Sequence, residues 1–151
     1  MPARILAIDF GTRRIGLAIS DPLGITAQGL PTLERTHLAE DLDRLRMLAE
    51  EYSVGGVLLG NPISARGGET QMSRRVAAFA DKLRRRVACP VILWDERLTT
   101  AEASRVLREA GIGIGKRRRA RDRVAAVLLL SNYLDYLAAK AARSSSAEGD
   151  R

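Results

Sequence analysis

The chain has 151 residues and a net charge of +7, with 46% hydrophobic and 28% charged residues; this balance describes a soluble globule and excludes a disordered chain. One cysteine and one histidine exclude a disulfide framework, a thiolate or His-rich zinc site, and Ser-His-Asp or Cys-His catalysis. No apolar run reaches the roughly 20 residues of a spanning helix, and MPARILAIDF lacks the layout of a signal peptide, so a cytoplasmic protein with no membrane contact is expected.

Taken in order, residues 4–10 and 15–20 read as strands joined by a tight hairpin at GTRR, with a third strand over 24–33. Thr36 is expected to cap a helix whose buried face carries Leu38, Leu42, Leu45, Leu48 and Tyr52. Residues 54–60 are uniformly apolar, as in a strand covered on both faces, and 61–70 reads as a surface loop. A second amphipathic helix turns Met72, Val76, Phe79, Ala80 and Leu83 inward and Arg74, Arg75, Arg84 and Arg85 outward. Residues 91–94 form the next buried strand. Thr99 and Glu102 make a capping box for a third helix that stops at Gly111. The last helix is expected over about 120–142. Strands followed by alternating helices and strands give a mixed sheet with helices on its faces. Residues 1–142 are expected to be one domain and 143–151 a disordered tail.

Acidic residues then stand out. Asp9 closes the first strand before Gly11; Asp95 and Glu96 close a later strand; Asp122 opens the last helix. Strand ends are where ligands collect in open α/β sheets. Carboxylates converging there repel one another unless a cation lies between them, and hard oxygen donors suit Mg²⁺ or Mn²⁺. Each has an ordinary structural use as well: Asp9 as a turn former, Asp122 as a neutraliser of its basic neighbours. Adjacent residues of a strand point to opposite faces, so only one of Asp95 and Glu96 serves the same site as Asp9. Asp122, Ala125, Ala126 and Leu129 share a helical stripe, and the small alanines would let that helix press on the sheet. Arg13, Arg14, Lys116, Arg117, Arg118, Arg119, Arg121 and Arg123 flank the acids and suit phosphate contacts. An acidic metal site in a basic chain points to a nuclease.

The segments IDFGTRRIGLAISD, GVLLGNP, WDERLTTAEA and RDRVAAVLLLSNYLD, in that order, resemble the YqgF family, also called the RuvX or Holliday-junction-resolvase-like family. The resemblance implies a ribonuclease H-like fold: a mixed five-stranded sheet with helices on both faces. It also implies a metal-dependent nuclease, a hydrolase of phosphodiester bonds, that matures the 5′ end of the 16S ribosomal RNA precursor or cleaves four-way DNA junctions. Carried onto this chain, it implies a catalytic, metal-holding triad of Asp9, Glu96 and Asp122, with Asp95 in support and Mg²⁺ or Mn²⁺ as the ion. The family's usual Gly-Leu-Pro is Gly60-Asn61-Pro62 here. Partners implied are precursor ribosomal RNA or branched DNA, and the chain acts as a monomer or homodimer. Two rivals stand beside this reading. An actin-like or sugar-kinase ATPase would use Asp9 and Gly11 but needs a second such domain; a non-catalytic RNA-binding factor would keep the basic face alone.

Overall fold

The computed structural model describes residues 3–62, 67–95 and the helix 114–149, with side chains of that helix described for 122–144. Strands β1 (Arg4–Phe10), β2 (Arg14–Ser20) and β3 (Ala27–Glu34) form an antiparallel meander, followed by α1 (Leu38–Glu51), β4 (Val54–Asn61), α2 (Gln71–Arg84), β5 (Val91–Asp95) and α3 (Ile114–Gly149). The five strands make one sheet in the order β3-β2-β1-β4-β5, with β4 parallel to both β1 and β5. The expected mixed five-stranded sheet is present.

Strand alternation sorts the side chains into two cores. Leu6, Ile8, Ile15, Leu17, Val57 and Leu59 point to one face, where Leu42 and Leu45 of α1 and Val76, Phe79 and Leu83 of α2 cover them. Ala7, Ala18 and Leu58 point to the other, where Ala126, Leu129, Leu130, Tyr133 and Leu134 of α3 pack. Full burial of a leucine such as Leu129 or Leu130 contributes about 1.5–3 kcal/mol. The stretch Asp122–Ser144 is apolar enough by composition to span a bilayer, but the buried stripe of α3 on the sheet accounts for that character.

Several local expectations change. The helix α1 starts after His37, not at Thr36, and His37 makes no side-chain cap. Instead Asp41, buried one turn in, reaches back and accepts from Thr36 N–H (3.1 Å) and Thr36 Oγ1 (3.2 Å). Thr70, at the end of the segment read as loop, caps α2 in a box with Ser73. The third strand begins at Ala27 because Asp21 holds the preceding turn, accepting backbone N–H groups of Leu23, Ile25 and Thr26; the Thr26 bond above all lowers its pKa. Helix α3 exceeds its expected range at both ends and continues to Gly149, through most of the segment expected to be a tail. The helix expected from Thr99 to Gly111 lies outside the described residues.

Candidate active site

Asp9 sits one residue from the end of β1, on the same face as Ala7, which is the face covered by α3. Its antiparallel partner across β2 is Gly16, whose side-chain position shares that face. No side chain fits there. A Cβ on Gly16 would fall on the Asp122 carbonyl oxygen, 2.7 Å from the carbonyl carbon and 3.3 Å from Asp122 Cα. Paired antiparallel residues are about 4.5–5.5 Å apart at Cα, so the backbones of Asp9 and Asp122 lie within roughly 10 Å of each other. Gly29, which pairs with Ala18, plays the same part for the next residue: a Cβ there would meet Arg123 Cγ at 2.6 Å and Val127 at 3.4 Å. Two strand glycines and two strand alanines thus let the helix bearing Asp122 descend onto the sheet beside Asp9. A glycine inside a strand signals such close approach; both lay in the sequence without drawing that reading.

Among the basic residues expected to meet phosphate, Arg14 is committed to Asp122. Its Nε donates to Asp122 Oδ2 at 3.0 Å, both side chains being about one-fifth exposed (20% and 21%). The guanidinium supplies positive charge at a carboxylate expected to face a cation, and it fixes the carboxylate's rotation. Arg13 is exposed in the hairpin turn, whose closing bond runs from Gly11 N–H to the Arg14 carbonyl (3.0 Å). Arg123 is exposed, its stem across Gly29 of β3. Lys116, Arg117, Arg118, Arg119 and Arg121 fall in the first turns of α3, and their side chains lie outside those described.

A strap that sequence reading missed holds the turn after Asp9. Arg35 Nη1 donates to the carbonyls of Gly11 (3.3 Å) and Thr12 (3.4 Å), while its Nε bonds the buried Asp41 at 3.3 Å. The same guanidinium lies 4.6 Å from the centre of the Phe10 ring. Nothing local signals this, since Asp41 falls at a polar position of an ordinary amphipathic helix.

On β5, Trp94 packs against Tyr133 and Tyr136 of α3, each ring centroid 5.0 Å away, so it belongs to the core and is no exposed platform. Asp95 is exposed and, by alternation, on the other face from Trp94 and Asp9. Glu96, the next residue, lies outside the described residues. Beside Asp95 in the ladder stands Asn61, whose Oδ1 is buried with no hydrogen-bond donor among the described residues. A buried acceptor left so costs about 1–3 kcal/mol, and such atoms concentrate where a ligand or water completes them.

Among the described residues no group of three His, Cys, Asp or Glu is placed to hold a metal; the described members of the expected triad are Asp9 and Asp122. That pair offers carboxylate oxygens alone, the donor chemistry of Mg²⁺ or Mn²⁺ and unlike a zinc site. His37 instead pairs with Glu40 at 3.4 Å. Burial raises the Cys89 thiol pKa, which keeps it protonated.

A profile of the RuvX family, described as Holliday junction resolvase, matches residues 3–136. The chain belongs to the RuvX family. Membership makes it a nuclease, a hydrolase of phosphodiester bonds. A Koribacter versatilis protein named "putative pre-16S rRNA nuclease" is 49% identical over 132 residues, covering 87% of this chain and 86% of the relative. One of the same name from Moorella thermoacetica is 46% identical over 134 residues, covering 89% and 96%. In fold the chain is similar to Thermus thermophilus RuvC solved with a Holliday junction substrate (TM-score 0.55, 14% identity, 88% of this chain and 94% of that one). It is likewise similar to the fowlpox virus resolvase solved with junction DNA (TM-score 0.57, 13% identity, 89% and 98%). At such identities the likeness concerns the fold, which is the ribonuclease H-like architecture expected.

Proposed function

We propose that this RuvX-family chain is a cytoplasmic, divalent-metal-dependent endonuclease that trims the 5′ end of the 16S ribosomal RNA precursor. The observation that carries the metal site is the seat of Asp122 on Gly16, across the ladder from Asp9. The substrate rests on the names of relatives 49% and 46% identical to it. Asp9, Glu96 and Asp122 would hold Mg²⁺ or Mn²⁺ through carboxylate oxygens. Such an ion, when bound, polarises the phosphoryl oxygen and makes an attacking water more acidic. The chain's own residues set the geometry. Arg14 orients Asp122, the Arg35 strap fixes the turn that follows Asp9, and Arg13 with the 116–123 basic run neutralises flanking phosphates, binding without reading bases.

Resolution of four-way DNA junctions is the second reading, favoured by the family description and by the fold shared with two resolvases. It requires a symmetric dimer presenting two sites, so solution mass discriminates. The deciding experiment compares cleavage of precursor ribosomal RNA and of a four-way junction, with Mg²⁺, Mn²⁺ or chelator. Preference for the RNA with a monomeric mass supports the first reading. Asp9→Asn should abolish cleavage and leave binding nearly intact; normal cutting by that variant sinks the triad, and binding without any metal-dependent cleavage leaves a non-catalytic RNA-binding factor.

A further inference from the structure

Helices α1 and α2 cover the sheet face opposite Asp9 and Asp122, and a furrow runs between them. One part, about 330 Å³, is lined by Phe10, Arg35, Arg75, Phe79 and Lys82 among others; the next, about 220 Å³, by Leu42, Lys82, Arg85 and Arg86 among others. The two share Leu38 and Lys82 and are therefore stretches of one channel. Neither has an acidic residue in its lining.

The cations of this region divide into two sets. Arg35, Arg74, Arg84 and Arg86 pair with Asp41, Glu69, Asp81 and Asp43. Arg75, Lys82 and Arg85 are exposed and make no ion pair among the described residues. Positions 75, 78, 82 and 85 follow helical three-four spacing, so the three charges lie in one row along the furrow. At 1.5 Å per residue the row is about 15 Å long, the axial length of roughly four stacked nucleotides at ~3.4 Å each. The furrow begins at Phe10, the residue after Asp9, under the Arg35 guanidinium that grips the Gly11 and Thr12 carbonyls. Its floor is apolar and its aromatic pair, Phe10 on Phe79, is stacked on itself at 4.3 Å, so it has charge for a backbone and little to read a base.

We infer that this furrow is a second nucleic-acid contact, which takes the flank of the substrate strand through its phosphates as that strand leaves the cleavage site around the Gly11–Arg13 turn. The inference rests on the nuclease reading, since that reading supplies the polyanion.

The test is the variant Arg75→Gln/Lys82→Gln/Arg85→Gln in the full chain, with its fold checked by circular dichroism and thermal melting. The probe is a single-stranded RNA, with Kd measured over a range of salt in chelator, so that no cleavage enters. Three lost phosphate contacts should lower the slope of log K against log salt by about 2. With Mg²⁺ present, the advantage in kcat/KM of a long-flanked substrate over a short one should fall towards unity. A wild-type salt slope in the folded triple variant overturns the inference; if that variant instead loses binding to poly-glutamate, the furrow serves an acidic protein. Absence of cleavage by the unmutated chain would count against the nuclease reading, while a reduced slope in the variant would still identify the furrow as a binding surface.

Discussion

Gly16→Ala sets two opposed effects against each other at the centre of the site. A strand glycine is worse than alanine by about 0.5–1 kcal/mol through its unfolded-state freedom, so local propensity alone calls for a stabilised protein. Against this, the new methyl would lie on the Asp122 carbonyl group, with the carbonyl carbon at 2.7 Å where ordinary contact begins at 3.4 Å. Both partners are backbone, so no rotamer change relieves the overlap; the carbonyl oxygen is nearer still than the carbon, so α3 must lift by about 1 Å. Overpacking of that kind costs about 1–3 kcal/mol. The net loss is then at most about 2.5 kcal/mol, which lowers Tm by up to about 10 °C for a chain of this size. The lift carries Asp122 with it, and misplacement near 1 Å costs up to about 100-fold in rate. The assay is differential scanning calorimetry beside kcat/KM on the preferred substrate. Gly56→Ala is the control, since a Cβ at that strand glycine meets nothing within 4 Å; it should leave activity alone and raise Tm slightly. If Gly16→Ala melts higher than the parent and cuts as well, the close seating of α3 on β2 is not what places Asp122.

Arg14→Gln should cost only about 0.5–1 kcal/mol in a urea melt, because the pair is partly exposed, yet shift the Mg²⁺ concentration for half-maximal cleavage; an unchanged Mg²⁺ titration would mean that Arg14 does not position Asp122. Asp41→Asn removes a buried charge that accepts from Thr36 and Arg35, and a loss of about 2–3 kcal/mol is expected, with faster amide exchange at Gly11, whose carbonyl the Arg35 strap holds. Slow, parent-like exchange there would show that the strap holds without its anchor. Burial raises the Cys89 thiol above its ordinary pKa of 9.0, so the folded state binds that proton more tightly than the unfolded one; this contribution is intact at neutral pH and is lost as pH rises past about 9. Native Cys89 should accordingly react with iodoacetamide at pH 8 more slowly than the urea-unfolded chain, and equal rates would contradict the burial.

The regular parts of the fold were legible because apolar period and length suffice for them. Strands β1, β4 and β5 and the buried faces of α1 and α2 follow directly from runs such as VGGVLLG and from three-four spacing. The register of Asp9 against Gly16 follows from the hairpin, but the descent of Asp122 onto Gly16 depends on where a helix more than a hundred residues later comes to rest. Alanines at 125 and 126 hinted at that helix's approach, but Gly16 and Gly29, which receive Asp122 and Arg123, look like ordinary weak points until the helix is placed. The pairing of Arg14 with Asp122 was not legible in the sequence, since the two stand 108 positions apart. The ends of α3 were missed because Gly-rich, basic and Ser-rich segments carry no apolar period.

The seat of α3 has a consequence in time. Asp9 is made more than a hundred residues before Asp122, which opens the part of the helix that also covers Ala7, Ala18 and Leu58. A nascent chain lacking that helix has one bare sheet face and only part of the proposed triad. Contacts of such long sequence separation form late, after their loop-closure entropy has been met. On the proposed triad, completion of the second core and assembly of the cutting centre are one event, so an unfinished or locally opened chain would lack the metal site. For a nuclease that would otherwise meet nucleic acid from the moment it is synthesised, that coupling would be a safety catch written into chain order.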